Sequence, residues 1–202
     1  MRANINDYLS NSIKPSSTYI IGSIEIREDA LDKKIEIGGG SVMKDGILVN
    51  RIDSREAMTY NLLMDNVNKG TLEITNPQDQ NGFITLEILG NTTDSKLKYE
   101  NDKITLIKNL KIRVAIAEIQ GEAIVNNELL DYIKVAKEKE IEAYLLNSFE
   151  KYKKEGIDVF EIERLLDINY PKVTVENPIS KTDLEVNVDI NIEGTGRVRN
   201  SL

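Results

Sequence analysis

The 202-residue chain contains no histidine, no cysteine and no tryptophan. A chain without histidine and cysteine cannot form a histidine-based catalytic triad, a thiol nucleophile, or a zinc or haem site that uses these ligands. The absence of cysteine also excludes disulfides, but it does not fix the redox compartment. The missing residue types therefore exclude several classes of enzyme and metalloprotein.

Long apolar runs and excess positive charge are missing as well. No segment approaches the ~20 apolar residues that cross a bilayer. Acidic residues number 34 against 26 basic ones, which gives a net charge of −8 and a pI of about 4.8. A nucleic-acid-binding surface needs clustered lysine and arginine, so this charge argues against one. The 40% hydrophobic and 30% charged residues are typical of a folded, soluble protein.

The N-terminal residues lack the apolar core of a signal peptide, and no cysteine is present to carry a lipid. Two interpretations are open: a cytoplasmic protein, or a piece of a longer precursor. Residues 5–13 predict a short helix, and residues 14–17 predict a linker. We therefore expect residues 1–16 to be the tail of a preceding domain plus its linker, and residues 17–202 to form a C-terminal domain.

Strand patterns dominate the first half of the chain. The Asp45-Gly46 pair between two short apolar runs predicts a tight hairpin, because glycine accepts the positive φ that such turns require. Lys108-Asn109 is a candidate break in the longest strand. The predicted strands cover residues 18–26, 35–43, 47–49, 72–74, 83–89, 96–100, 103–120 and 184–192.

Three helices are predicted from apolar stripes and from residues that cap helix ends. They begin at Asp53, at Asn126 or Asn127, and at Asp158, and they end near Gly70, near Gly156 and before Pro171. Strands and helices thus come in blocks rather than in regular alternation. This pattern predicts an α+β fold with an antiparallel or mixed β-sheet, and with the long helix and the shorter helices packed on one face.

Gly38-Gly39-Gly40-Ser41 is the most distinctive short motif. A phosphate-binding loop needs glycines that lead into a helix N-terminus, with Lys and Ser or Thr beyond them. Here the glycines lead into a strand and a hairpin. The motif therefore predicts a β-bulge or a close crossing of strands, with a ligand contact as the alternative.

Paired carboxylates are the other candidates for chemistry. General acid–base catalysis requires a carboxyl group buried enough to shift its pKa. Nothing in the sequence pattern buries Glu118, Glu122, Glu138 or Glu142, so we interpret them as solvated side chains. The sequence therefore gives no support for carboxylate-based catalysis.

Arg51 and Arg55 near the first helix could contact an anion, but a surface role is the simpler interpretation. The tyrosines lie outside any Lys/Arg-rich groove, so we interpret them as core or interface residues rather than as a platform for nucleic acid. These tyrosines are Tyr60, Tyr99, Tyr144, Tyr152 and Tyr170. We predict no catalytic, cofactor-binding or metal-binding residue.

Residues 35–49 run from a glycine-containing strand through a Lys-Asp-Gly hairpin into a Leu/Val strand. The segments that follow in order are 53–57, 70–74, the long Lys/Glu helix, 156–160 with Tyr170-Pro171, and 184–194. This order resembles the C-terminal domain of the spore germination lipoproteins, the Ger(x)C-type C subunits of nutrient germinant receptors. The resemblance covers roughly residues 18–196.

One segment departs from the family pattern. Family members carry Trp-containing helical sequence after the proline, whereas residues 173–178 here are short, lack tryptophan and predict loop or strand. Two interpretations are open: a divergent member of the family, or an edited sequence.

The resemblance implies a non-enzymatic subunit without cofactors, an extracytoplasmic scaffold or interaction domain needed for germination. It also implies integral-membrane A and B subunits as partners, no nucleic acid, and a location on the outer surface of the spore inner membrane. The lipid anchor would lie in a part of the protein that this chain lacks, which leaves a soluble fragment. The alternative is a small-molecule-binding extracytoplasmic domain with a pocket near Gly38–Gly40, and a carboxylate-based hydrolase is a third hypothesis.

Overall fold

The structure, a computed structural model, describes residues 18–28, 33–65, 67 and 69–194. The strands in these residues are β1 (Thr18–Glu28), β2 (Lys33–Lys44), β3 (Ile47–Ile52), β4 (Gly70–Thr75), β5 (Phe83–Glu100), β6 (Lys103–Ile119) and β7 (Thr182–Gly194). The helices are α1 (Ser54–Leu63), α2 (Asn127–Glu155), α3 (Ile162–Asn169) and the 3-10 helix Pro178–Lys181. This content confirms the predicted α+β class. The helix predicted over residues 5–13 lies outside the described residues.

The first three strands form an antiparallel sheet in the order β1-β2-β3. Asp45 and Gly46 connect β2 to β3 with φ angles of 51° and 78°. This is the left-handed backbone that two-residue hairpins require. The hairpin predicted from the Asp-Gly pair is therefore confirmed.

The other four strands form a second sheet in the order β4-β5-β6-β7. β4 is antiparallel to β5, and Asn101-Asp102 connects β5 to β6 with φ angles of 52° and 61°. β7 joins the other side of β6 after the chain has passed through α2 and α3. Asn187 contacts Asn109 and Glu193 contacts Arg113, so β7 and β6 run in the same direction and the sheet is mixed.

β5 is longer than the sequence predicts, and β6 covers the predicted strand without the candidate break. The polar stretch 90–95, predicted to separate two strands, continues β5. The Asn91 amide nitrogen and the Thr93 hydroxyl both donate to the Leu62 carbonyl, so these two donors have partners within the fold. Lys108, a candidate break, lies inside β6 because its buried ammonium group also has hydrogen-bond partners. Polar residues with such partners do not interrupt the pairing of the strands.

α1 ends at Leu63, well before the predicted end near Gly70. A further helical turn would use the carbonyls of Leu62 and Leu63. Instead, the Leu62 carbonyl accepts from Thr93 Oγ1 at 2.7 Å, and the Leu63 carbonyl accepts from Lys108 Nζ at 2.9 Å. The two carbonyls thus bind side chains instead of the N–H groups of a next helical turn. For this reason the helix ends at Leu63 although the apolar stripe continues beyond it.

Both ends of α2 follow the predicted caps. At the start of α2, Asn126 Oδ1 accepts from the backbone N–H of Leu129 at 2.9 Å. Gly156 follows the last residue of α2 with a left-handed φ of 65°. The segment 173–178, predicted as loop or strand, is a loop that leads into the 3-10 helix.

The chain divides into two compact units, and each is assembled from three segments. The first unit holds the residues up to Asn61, Lys96–Leu106 and Asn147–Leu184, and the second holds Leu62–Ser95, Ile107–Leu146 and the residues from Glu185 on. Each unit has its own buried apolar residues, such as Val42, Phe149 and Phe160 in the first and Ile112, Ile133 and Leu145 in the second. Five elements, namely α1, β5, β6, α2 and β7, contribute residues to both units.

Candidate functional site

An aromatic cluster in the first unit anchors the connection between α2 and α3. The ring centroid of Phe160 lies 5.3 Å from that of Phe149 and 5.8 Å from that of Tyr152. All three rings are almost fully buried. Tyr60 on α1 completes the cluster at 6.4 Å from Phe160. Asp158, two residues before Phe160, is therefore held next to a rigid core.

The tyrosines largely take the structural roles expected of them. Burial raises the pKa of Tyr60 and of Tyr152 well above the usual range, so both phenols stay protonated. Tyr99 and Tyr170 meet edge to face at 5.9 Å, and the Tyr170 hydroxyl accepts from the backbone N–H of Tyr99. Tyr144 is exposed. The interpretation as core or contact residues is thus confirmed for four of the five.

A half-open pocket of about 410 Å³ lies in the first unit, where the end of β2 meets the start of α3. We call it the Lys44 pocket. Its polar and charged lining residues are Thr18, Lys44, Asp158, Glu163, Glu176 and Asn177. The pocket combines side chains of both charges, so it is a candidate site for a ligand.

Asp158 is fixed in the wall of the pocket. Its Oδ1 accepts from the N–H of Ile162 at 3.0 Å, and its Oδ2 accepts from the N–H of Glu163 at 2.9 Å. Burial raises the pKa of Asp158, although these backbone N–H groups act in the opposite direction. The helix predicted to begin at Asp158 begins instead at Ile162, with Glu161 as its N-cap residue, but Asp158 still accepts from its first N–H groups. The same carboxylate contributes negative charge to the pocket.

Glu163 and Lys44 carry opposite charges in the same pocket. Partial burial raises the pKa of Glu163, the nearby Asp158 and Asp167 add to this effect, and Lys44 opposes it. The two side chains therefore sense each other electrostatically. No ion pair forms between them in the structure, although both line the pocket.

The predicted bulge at Gly38–Gly40 is confirmed. The register between β1 and β2 shifts between the pair Gly22–Gly40 and the pair Ile24–Ile37, so two residues of β2 oppose one of β1. Gly39 has a φ of 68°, and a Cβ at this position would overlap the Ile52 carbonyl oxygen. The three glycines do not line the Lys44 pocket.

The structure does not bring the four candidate carboxylates together. Glu118 and Glu122 are exposed, and Glu142 is half-buried. Glu138 departs from the predicted solvated position, because its Oε1 accepts from the backbone N–H of Ile190 at 2.8 Å. Among residues 18–28, 33–65, 67 and 69–194, no group of three or more acidic side chains could hold a metal ion.

Nothing in the sequence pattern indicates the role of Lys137. Its side chain is buried, and its Nζ donates to the backbone carbonyl of Glu73 and to the Glu140 carboxylate. The surrounding Lys/Glu pattern is typical of a solvated helix face, and only the position of β4 shows that Lys137 faces inward.

Arg51 and Arg55, considered for an anion contact, are exposed side chains that do not line the Lys44 pocket. The Asn91 side chain donates to the Leu62 carbonyl and to Thr93. None of these residues contributes to the pocket.

Exposed isoleucines mark a second surface, which the sequence did not predict. Ile24, Ile26 and Ile35 have 70%, 69% and 73% of their surface exposed. Ile24 and Ile26 lie on one face of β1, and Ile35 lies opposite Ile26 on β2. We call these three residues the isoleucine face. Clustered apolar exposure of this kind is typical of contact surfaces.

The fold has a counterpart among solved structures. A solved structure described as the crystal structure of the GerBC protein matches the chain with a TM-score of 0.74 and 18% sequence identity. The match covers 88% of this chain and 57% of the GerBC chain, so this chain spans little more than half the length of that protein. No curated protein sequence matches the chain.

A family model described as spore germination B3/GerAC like, C-terminal, matches residues 38–196. The chain therefore belongs to this family of germinant receptor C subunits. The match confirms the resemblance drawn from the order of the sequence segments. Within the described residues, no helix has both the length and the apolarity needed to cross a bilayer.

Proposed function

We propose that this chain acts as a non-enzymatic scaffold and interaction domain of a spore nutrient germinant receptor. The family match over residues 38–196 carries the proposal. The sequence lacks histidine and cysteine, which supports the proposal. The candidate carboxylates support it as well, because Glu118 is an exposed side chain whereas Glu138 binds a backbone N–H, so they do not act together. A domain of this kind works through shape and contact rather than through bond chemistry.

We also propose the context in which it works. Residues 1–16 would be the tail of a preceding domain with its linker, and residues 17–202 would be the C-terminal domain of a lipid-anchored protein on the outer surface of the spore inner membrane. Its partners would be the integral-membrane A and B subunits of the receptor. Family membership and the greater length of GerBC support this arrangement.

Deletion of the gene in the native spore former tests the role. We expect spores that no longer germinate with one nutrient, while vegetative growth and germination by a non-nutrient trigger stay normal. The complete gene supplied in trans should restore the response. Deletion spores that germinate normally with every nutrient tested would contradict the proposal.

The isoleucine face offers a more specific test of the interaction role. In the complete gene, Ile26→Lys with Ile35→Lys should lower nutrient germination and the recovery of receptor subunits with this protein from spore membranes, because buried charge opposes apolar contact. Ile168→Lys is the matched control, since Ile168 is also exposed, at 62%, but lies on α3. Equal germination and recovery in the double variant and the control would contradict a contact at this face.

A small-molecule-binding domain is the second candidate function. The Lys44 pocket supports it, because its volume lies in the usual range for small-molecule sites and its lining is charged. Calorimetric titration of the chain with amino acids, sugars and nucleosides tests this candidate. Saturable heat with one class supports it, and its absence with all three counts against it.

A further inference from the structure

We propose that the Lys44 pocket binds a small zwitterion, with the ligand's ammonium group at Glu163 and its carboxylate at Lys44. The proposal names the ligand class of the second candidate function and rests on that candidate. It is independent of the scaffold role, which does not require a ligand.

The two charges that define the site are opposed but unpaired. Lys44 is the last residue of β2 and is half-buried, while Glu163 lies in the first turn of α3. Both line the pocket, and each lies within electrostatic reach of the other without an ion pair between them. A ligand that carries both charges can occupy the gap and form a charge-assisted hydrogen bond at each end.

The surrounding residues favour a zwitterion over a simple ion. Asp158 is held in place by two backbone N–H groups and adds negative charge on the side of Glu163, where an ammonium group would bind. Lys44 is the one cation among the residues that line the pocket, so a lone carboxylate would meet a mostly acidic surface. Thr18 and Asn177 supply neutral groups that can donate to or accept from a polar ligand.

The shape of the pocket agrees with a small polar ligand. A volume of about 410 Å³ is at the lower end of the range for small-molecule sites, and the pocket is half-open to solvent. An apolar ligand would leave much of its surface in water. A zwitterion loses less binding free energy in a half-open pocket, because the part of it that stays exposed remains hydrated.

The test is an NMR titration of the 202-residue chain with glycine, β-alanine, γ-aminobutyrate and L-alanine. This series varies the separation between the ammonium and carboxylate groups, and methylammonium and acetate serve as half-ligands. We expect saturable shifts of the amides of Lys44 and Glu163 with at least one zwitterion, at lower concentration than with either half-ligand.

Lys44→Met and Glu163→Gln should each weaken that binding by about tenfold or more, the equivalent of one lost charged contact. Lys44→Arg keeps the charge and should bind within about threefold of the wild type. Lys172→Met and Glu185→Gln are matched controls with exposed side chains outside the pocket, and they should bind normally. Far-UV circular dichroism and thermal unfolding identify any variant that fails to fold.

The proposal is overturned if no zwitterion gives saturable shifts, if a half-ligand binds as well as every zwitterion, or if folded Lys44→Met and Glu163→Gln proteins bind like the wild type. Saturable binding of a sugar or a nucleoside alone would contradict the zwitterion proposal but would support small-molecule binding, the second candidate function. Loss of nutrient germination on gene deletion is decided separately, so the scaffold role stands or falls on its own.

Discussion

At the scale of single residues, Gly39 shows how one backbone angle fixes the path of two strands. Its φ of 68° lies in the region that favours glycine, and the Ile52 carbonyl leaves no room for a Cβ. The bulge that results lets β2 pair with β1 on one side and with β3 on the other despite the shift in register.

We expect Gly39→Ala to lower the free energy of unfolding by about 3 kcal/mol or more, because left-handed strain and a backbone clash act together. Gly22→Ala is the matched control in the neighbouring strand, since a Cβ there meets nothing within 4 Å. Its effect should stay within about 0.5 kcal/mol. Urea denaturation measures both, and equal stability of the two variants would show that the bulge tolerates a side chain.

Asp158 gives the protein a pH response of unusual sign. Its pKa is raised above the ordinary value of 3.8 in the folded state, mainly by burial. The folded state therefore holds this proton more tightly than the unfolded state. The resulting stability is present below pH 3.8 and is lost as the pH rises through the raised pKa.

We therefore expect Asp158→Asn to become more stable relative to the wild type as the pH rises from about 4 to 7. Asp183→Asn should show the opposite trend, in the window below about pH 4, because the hydrogen bond from Lys153 lowers the pKa of Asp183 from 3.8 and its stabilisation is lost as the pH falls through that lowered pKa. The second effect should be small, since the Asp183 side chain is exposed. Unfolding curves at several pH values decide this; parallel pH profiles for the two variants would refute the assignment for Asp158.

Local residue roles could be predicted from the sequence, and distant ones could not. Asp53, Asn126 and Asp158 were predicted as caps because each acts on N–H groups within five residues. Lys108 and Glu138 act on groups 45 and 52 residues away, and no spacing rule reaches that far. The Lys44 pocket was missed for the same reason, since its lining residues come from distant segments.

At the scale of elements, α2 is bound to both outer strands of the second sheet. Lys137 donates to the backbone carbonyl of Glu73 on β4, and Glu138 accepts from the backbone N–H of Ile190 on β7. Two neighbouring residues of one helix thus form hydrogen bonds with main-chain groups on the two edge strands of the sheet. These contacts fix the helix over the sheet more specifically than apolar packing alone.

Removing the contact between Glu138 and Ile190 should destabilise β7. We expect Glu138→Ala to lower the free energy of unfolding by about 1–3 kcal/mol, because it leaves a buried N–H without a partner. Glu142→Ala, one turn further along α2, serves as the control and should cost less than about 0.5 kcal/mol.

Hydrogen exchange adds a local measurement to the same comparison. The Ile190 amide should exchange faster in Glu138→Ala than in Glu142→Ala, while amides in the centre of β6 should change only with global stability. Unchanged protection of Ile190 in Glu138→Ala would show that the bond to Glu138 contributes nothing.

The sequence predicted which elements exist better than it predicted where they end. The beginnings of α1 and α2 and the two tight turns follow from local capping and turn chemistry, and they were predicted correctly. The early end of α1 and the continuity of β5 were missed. Both depend on bonds from Asn91, Thr93 and Lys108 to the end of α1, which form only in the folded chain.

At the scale of the whole molecule, the two units are interleaved along the chain. Neither is a continuous segment, and five elements contribute residues to both. Cutting the chain at any one place therefore cannot release a complete unit.

We expect thermal unfolding to proceed as one cooperative transition, with a calorimetric enthalpy equal to the van't Hoff enthalpy. Differential scanning calorimetry measures both quantities. Glu138→Ala should shift this transition to a lower temperature without dividing it. Two resolved transitions would show that the units unfold independently.

The α+β class and the family were predictable from the sequence because they depend on the order and type of the segments. The division of the described strands into two sheets was not predictable, because it depends on which strands pair, and local patterns do not show that. The isoleucine face escaped prediction too. An alternating strand shows that one face is apolar, but it does not show whether anything covers that face.

The two bonds from α2 to β4 and β7 also affect how copies of this domain meet. Open strand edges invite other chains to add to a sheet, and such addition leads to fibres. Here the backbone groups at Glu73 and Ile190 are already occupied. A strand from a neighbouring copy therefore cannot form hydrogen bonds with these two groups. Adding a fifth strand to this sheet by design would first require replacement of Lys137 or Glu138.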